Sequence, residues 1–434
     1  MMHSAAVTIA WAGLAFAGAV PTVGLAADAS SAEPGGARTG DEAKPAPALP
    51  AGTRAALPPA ASPRVELAIC LDTSGSMDGL IDAARQKIWT IVNELALVEP
   101  TPKLRVALLT FGNDGHDPAR GWTRVDVPFT EDLDLVSQQL FALTTNGGTE
   151  LVARVLSAAH RELDWSADPK DLKLVVVAGN ESAEQDTEVR NADACRVLIE
   201  RGIVVNSIYC GSPADELAPA WLQVAKLADG HFASIDQQNG TIVIETPFDG
   251  ELATLSTAMN ETYLPLGSAG AVAWGNQRAQ DANAEKCNSA TAASRALSKA
   301  GGLYSCSWDL VEQVKSGQLK LEEVKKEDLP EKLRELSLEA KQKCVDENWA
   351  RRQELQQKIG ATATKRAAAV AVEMEKRGAT ELAAFDGAVR AALRKQAAAK
   401  GLRFKPAPAP APEAGGEKPE PGRQEPSRQE NRGG

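Results

Sequence analysis

The run Leu172-Lys173-Leu174-Val175-Val176-Val177-Ala178 constrains the fold most. A strand with one face in water alternates apolar and polar residues, whereas a strand covered on both faces does not. Only Lys173 breaks this run, so it reads as a fully buried strand. Residues 65–71, 104–111 and 203–210 also read as strands. Between the first two, apolar residues recur at Ile81, Ala84, Ile88, Ile91 and Leu95, the spacing of a helix. Strands that alternate with helices predict an α/β fold. Its doubly wound, mainly parallel sheet has right-handed crossovers and helices on both faces.

The remaining pattern fills in that domain. Val125, Val127 and Phe129 alternate with polar residues, as in an edge strand. Helices are expected over 131–143, from Thr149 onward (Leu151, Val155 and Ala158 on one face), over 188–201 up to the stop at Gly202, and around Trp221 and Leu222. A last strand over 231–235, a short one over 241–245 and a closing helix over 251–263 complete a domain spanning 64–263. Before it, residues 1–26 read as a secretory signal: the apolar stretch 5–20 precedes small residues at Gly24-Leu25-Ala26. An uncleaved anchor is the alternative, but the stretch is short for a bilayer and Pro21 interrupts it. Residues 27–63 are an Ala/Pro-rich linker. After the domain come an irregular connector (264–307), a helical region (308–404) and a disordered Pro-rich tail (405–434). Within the helical region a second helix covers 380–399, and Gly360 and Gly378 divide it into hairpins. Export to the periplasm, the envelope or the outside follows from the signal.

Composition removes some functions. A net charge of −11 leaves no basic footprint for nucleic acid and no attraction to anionic lipid. The six cysteines are widely spaced and match no zinc pattern. Cys70 and Cys210 read as buried thiols at strand ends. Cys287 with Cys306 is the best disulfide candidate in an oxidising compartment, with the pairing left open. There is no H-E-x-x-H, G-x-x-x-x-G-K or G-x-S-x-G. His116 sits in Asn113-Asp114-Gly115-His116-Asp117, a solvated turn whose length does not fit an EF-hand. His160 and His231 are given no role, and Trp308 reads as a packing residue between domains.

The chemistry concentrates in Asp72-Thr73-Ser74-Gly75-Ser76, which closes the first strand and opens a helix. A carboxylate and two hydroxyls at alternate positions converge where open α/β sheets bind ligands. Hard oxygens suit Mg2+ better than zinc or copper. The bland alternative is a helix amino-cap. Thr149 follows Gly147-Gly148, which lets the backbone approach an ion closely and turns the hydroxyl inward. Gly179-Asn180-Glu181 ends the buried strand. Asp72-Thr73-Ser74-Gly75 superficially matches the D-T-G of aspartic proteases, but the extra Ser breaks the turn. Ser74 also stands where D-x-D phosphoryl-transfer enzymes need a general acid.

The Asp72, Ser74, Ser76 pattern resembles the D-x-S-x-S signature of the metal-ion-dependent adhesion site in von Willebrand factor type A domains. The resemblance covers about 64–263. It implies that Ser74, Ser76 and Thr149 ligate the ion directly, while Asp72 holds a coordinated water. At the third loop many members carry Asp-Gly, where this chain has Asn180. The missing charge implies weaker binding of the free ion and more dependence on a partner carboxylate. The ion expected is Mg2+, with Mn2+ or Ca2+ as substitutes. The function implied is adhesion, without catalysis, to a protein ligand that offers an Asp or Glu. Gln280-Asp281-Ala282-Asn283-Ala284, Trp308-Asp309-Leu310-Val311 and Phe385-Asp386-Gly387-Ala388-Val389 look similar to a branch of bacterial exported type A proteins. The alternative is an envelope scaffold with a degenerate metal site, its contacts made by the helical region. A hydrolase is a more distant option.

Overall fold

The computed structural model describes residues 63–235, 244–376 and 380–405. The expected signal, the linker and most of the tail lie outside the described residues, as does most of the 241–245 strand. Strand β1 (Arg64–Asp72) divides its side chains by parity. Val65, Leu67, Ile69 and Leu71 join one apolar cluster, and Ala68 and Cys70 join another on the opposite face. The period of two in an extended chain imposes this division. Strands β2 (Val98–Glu99), β3 (Lys103–Phe111), β4 (Thr123–Thr130), β5 (Leu172–Gly179), β6 (Ile203–Tyr209) and β7 (Phe232–Ser234) follow. The main sheet runs β4-β3-β1-β5-β6-β7, parallel except for the antiparallel edge strand β4. Every residue of β5 is buried, Lys173 included.

Helices α1 (Ile81–Leu95) and α2 (Leu133–Ala142) cover the first face. Helices α3 (Val152–Glu162), α4 (Asn191–Glu200) and α5 (Ala218–Leu227) cover the second. The chain moves from β1 to β3 on one side, then returns to β5 on the other. The carboxyl ends of β1 and β5 therefore flank a topological switch point, where open sheets hold ligands. No helix among the described residues is long and apolar enough to cross a membrane.

The connector expected over 264–307 is wrong. After α6 (Asp249–Asn260) the chain forms α7 (Gly267–Cys287) and α8 (Ser289–Ala300). Their buried positions include Gln277, Gln280, Thr291, Arg295, Ser298 and Lys299. Polar residues that face inward erase the apolar period by which a helix is recognised. Their partners lie across the interface. Arg295 is ion-paired with Asp134 of α2, and its Nε reaches Asp281 Oδ1 at 3.1 Å. Lys299 Nζ donates to Asp281 Oδ2 (2.5 Å), Asn260 Oδ1 (2.6 Å) and Ser256 Oγ (3.0 Å).

Helices α9 (Leu310–Lys315), α10 (Leu338–Lys376) and α11 (Thr380–Ala399) follow, then β8 (Arg403–Phe404). Helix α10 runs unbroken through Gly360, where a Cβ would meet nothing within 4 Å. A glycine in a helix interior costs only about 1 kcal/mol, which packing elsewhere along the helix absorbs. Arg352 of α10 is buried over Tyr263 and bonded to Asp309 Oδ2 at 2.7 Å and Thr262 O at 2.9 Å. Trp308 packs on Tyr263 at a centroid distance of 5.6 Å, in an apolar cluster that also holds Met259, Ala296 and Ile359. Helix α11 occupies the bounds expected for it and completes the first face of the sheet, with Leu393 and Ala397 in the same cluster as Ile69 and Leu174. Arg394 Nε pairs with Glu94 Oε1 at 2.6 Å, and β8 pairs antiparallel with β2. None of the six cysteines is in a disulfide. The Cys287–Cys306 pair is therefore not formed: Cys306 is buried among Tyr263 and Leu355, while the Cys287 sulfur at the end of α7 accepts from Thr291.

Candidate metal site

Three loops meet at the carboxyl rim of β1 and β5. Asp72 ends β1 with no exposed surface. Its Oδ1 accepts the Ser74 backbone N–H at 2.7 Å, which turns the chain away from the sheet. Thr73 is anchored to β3, its N–H and its hydroxyl both donating to Phe111 O at 2.8 and 3.1 Å. With the turn fixed, Ser74 Oγ lies 3.0 Å from Ser76 Oγ, and Ser76 Oγ donates to Asn180 Oδ1 at 3.1 Å. Asp72, Ser74, Ser76 and Asn180 therefore form one arc, although Ser76 and Asn180 are far apart in sequence.

The loop bearing Thr149 is stitched alongside. Asn146 N donates to Thr73 O at 3.0 Å, and Gly75 N donates to Gly147 O at 2.9 Å. Thr149 itself bridges to Gly112, just beyond β3. Thr149 is thus on the same rim as Ser74. Of the two glycines before it, Gly147 is required by a neighbouring loop. Gly147 has a φ of +88°, and a Cβ there would lie 2.4 Å from Asp114 Oδ1, so the neighbouring loop requires it. Gly148 is exposed. That neighbouring loop is no solvated turn either. Asn113 Nδ2 donates to Thr73 O and Thr144 O at 3.1 and 3.0 Å, and His116 is buried with Nε2 2.8 Å from Thr110 Oγ1.

Two glycines do shape the floor. A Cβ on Gly112 (φ +79°) would stand 2.7 Å from Asp72 Oδ1. On Gly179 it would meet the Trp221 ring at 2.9 Å and Asp72 Oδ2 at 3.1 Å. Trp221 is itself buried in the second-face cluster and donates its indole N–H to Glu181 O at 2.8 Å, which holds the third loop in place.

The electrostatics are unbalanced. Burial pushes the Asp72 carboxyl from an ordinary 3.8 up to about 7; the Ser74 N–H pulls it down, and the Glu150 charge pushes it further up. Asp72 Oδ2 has no hydrogen-bond partner of ordinary geometry, and the nearby Asn180 N–H acts on it only weakly. Glu150 is also buried, its carboxyl raised by desolvation against the pull of the Gln185 amide and the Ser74 hydroxyl. A buried carboxylate oxygen without a donor fits a cation, because buried charges are otherwise paired. Among the described residues no three His, Cys, Asp and Glu side chains cluster as metal ligands. A cation on this rim would therefore rely on hydroxyl and amide oxygens as well, which are hard donors suited to Mg2+ or Ca2+.

Residues 66–220 match the family model of the von Willebrand factor type A domain. This stretch is a type A domain. It makes up less than half of the chain. Similar solved structures include proximal thread matrix protein 1 from the mussel byssus, at 13% identity and a TM-score of 0.31, covering 41% of this chain and 43% of that one. The same mussel protein with a zinc-occupied MIDAS motif aligns at 14% and 0.32, covering 40% and 42%. The SpRpn10 VWA domain aligns at 13% and 0.31, covering 40% and 88%. The alignment spans less than half the length of the mussel protein. No curated protein matches the chain.

Sequence reasoning missed Glu150, Gln185 and Gly112. The signal for Glu150 was available: an acidic residue directly after Gly147-Gly148-Thr149, ahead of the first apolar residues of α3. Gln185 and Gly112 carry no such signal, because their roles depend on loops brought together from distant positions.

Proposed function

We propose that the type A domain binds a divalent cation, Mg2+ in the first place, at its carboxyl rim, and through it an Asp or Glu of a partner protein. Ser74, Ser76 and Thr149 are the residues that would hold the ion, with Asp72 behind them and Asn180 at the edge. The ion would supply an electrophilic attachment point for a carboxylate. The rest of the arc orients that point and keeps it on an exposed rim. The observation that carries this reading is the hydrogen-bonded arc Ser74–Ser76–Asn180 above the buried Asp72 Oδ2, which no hydrogen bond of ordinary geometry satisfies. On this reading the protein is a non-catalytic binder. Its placement outside the cytoplasm rests on the apolar amino-terminal stretch alone.

The scaffold alternative gains no observation in its favour. The buried residues of α10, among them Val345, Arg352, Leu355 and Ile359, pack within the protein's own apolar clusters or against its own helices. The test is thermal unfolding of the full chain with Mg2+ and with chelator, in the parent and in Asp72→Ala. Mg2+ should raise the midpoint of the parent, as any ligand specific to the native state does, and leave the variant unmoved. A parent midpoint that is the same in Mg2+ and in chelator would remove the cation and, with it, the adhesive reading.

A further inference from the structure

We infer that Glu150 is a charged member of this cation site, supplying the negative charge that Asn180 does not, so that the chain holds a divalent cation before any partner arrives. The inference rests on the rim being a cation site and goes beyond it by naming the source of its charge.

Position comes first. A Cβ built on Gly112 would meet Asp72 Oδ1 at 2.7 Å, Glu150 Cγ at 2.8 Å and Ser74 Cβ at 3.4 Å. These side chains thus crowd round one glycine, and Glu150 stands beside the Asp72–Ser74 turn rather than out in solvent, with only 3% of its surface exposed.

The second argument is the company Glu150 keeps. Elsewhere among the described residues the buried carboxylates have a cation: Glu66 has Arg105, Glu94 has Arg394, Asp134 has Arg295, and Asp309 has Arg352. Glu150 has a neutral amide, Gln185 Nε2, at 2.7 Å from its Oε2. Asp72 has a backbone N–H on one oxygen and nothing of ordinary geometry on the other. The charge that acts on Asp72 is that of Glu150, and the charge that acts on Glu150 is that of Glu181, both negative. Carboxylates buried side by side without a cation are costly unless an ion is shared between them.

A structural role for Glu150 is also conceivable, since it precedes α3 and an acidic residue there complements the helix dipole. That role would not require the side chain to stand against Asp72 and Ser74. It would also not respond to a charge placed elsewhere in the site, and the two accounts can be separated on that basis.

The experiment is calorimetric titration of the full chain with Mg2+, and with Mn2+ as a second probe, at one pH and ionic strength. Circular dichroism in chelator checks that each variant is folded. Because ligand charge count tunes cation affinity, Glu150→Gln should weaken binding by about tenfold or more, and Asn180→Asp should tighten it. The double variant Glu150→Gln with Asn180→Asp, which moves the charge across the site without changing its amount, should bind within about threefold of the parent. Parent-like affinity in Glu150→Gln would overturn the inference, as would failure of Asn180→Asp to rescue it. If Asp72→Ala abolishes binding while Glu150→Gln does not, the cation site stands and the role of Glu150 falls. If the parent takes up neither ion, both readings fail together.

Discussion

Replacing Asp72 by Asn should stabilise the protein in chelator at pH 8, although it alters a fully buried residue. With no cation present, the folded state must hold a carboxylate that water would solvate better. That cost appears as a proton affinity raised from 3.8 to about 7. At about 1.4 kcal/mol per pH unit, the difference amounts to about 4 kcal/mol. The sign follows from linkage. Between the two values the folded protein binds more protons than the unfolded chain, so stability falls as pH rises from about 4 to about 7 and is flat above. Asn keeps the Oδ1 that accepts the Ser74 N–H at 2.7 Å and carries no charge. Its amide would face the Asn180 N–H, donor against donor, which takes back about 1–2 kcal/mol. A net gain of about 2 kcal/mol remains at pH 8; it should fall to zero at about pH 5 and become a small loss by pH 4, where the parent carboxyl is protonated in the folded state and only the amide clash is left. Urea unfolding of parent and variant in chelator across pH 4–8 measures it, because the difference cancels the titrating groups that do not act on Asp72, leaving Asp72 and its coupling to Glu150. In saturating Mg2+ the order should reverse, since only the parent gains from the ion. A variant less stable than the parent in chelator at pH 8, or a difference independent of pH, would refute the account of Asp72 as a charge lacking its cation.

Arg352→Met should cost about 3–5 kcal/mol, the penalty for stranding the buried Asp309 carboxylate. Adding Asp309→Leu should recover part of it, and urea unfolding of the two variants checks both statements. Leu393→Ala, in α11 and well beyond the matched domain, should cost about 2–4 kcal/mol and shift one shared transition. Two separate transitions by circular dichroism and tryptophan fluorescence would show instead that the helical region unfolds on its own.

Much of the type A domain was legible because its strands are buried on both faces and its helices carry apolar stripes. Those patterns follow from the geometry of each element alone. They located β1, β3, β5, β6 and the helices between them, and the sequence also showed that Asp72, Ser74, Ser76 and Asn180 end strands or begin the loops after them. Thr149 was legible from the Gly147-Gly148-Thr149 turn, although the requirement for Gly147 proved to come from Asp114. Tertiary structure alone decided the rest. Helices α7 and α8 hide their buried faces behind Arg295, Lys299 and Gln280, and α11 completes a sheet face begun by β1. Glu150 is buried close to Asp72, and among the described residues neither is ion-paired with a cation. In each case the deciding partner lies tens to hundreds of residues away. Local periodicity reports how a segment meets an apolar interior, and it is blind to a polar side chain whose burial depends on a distant charge or on the lack of one.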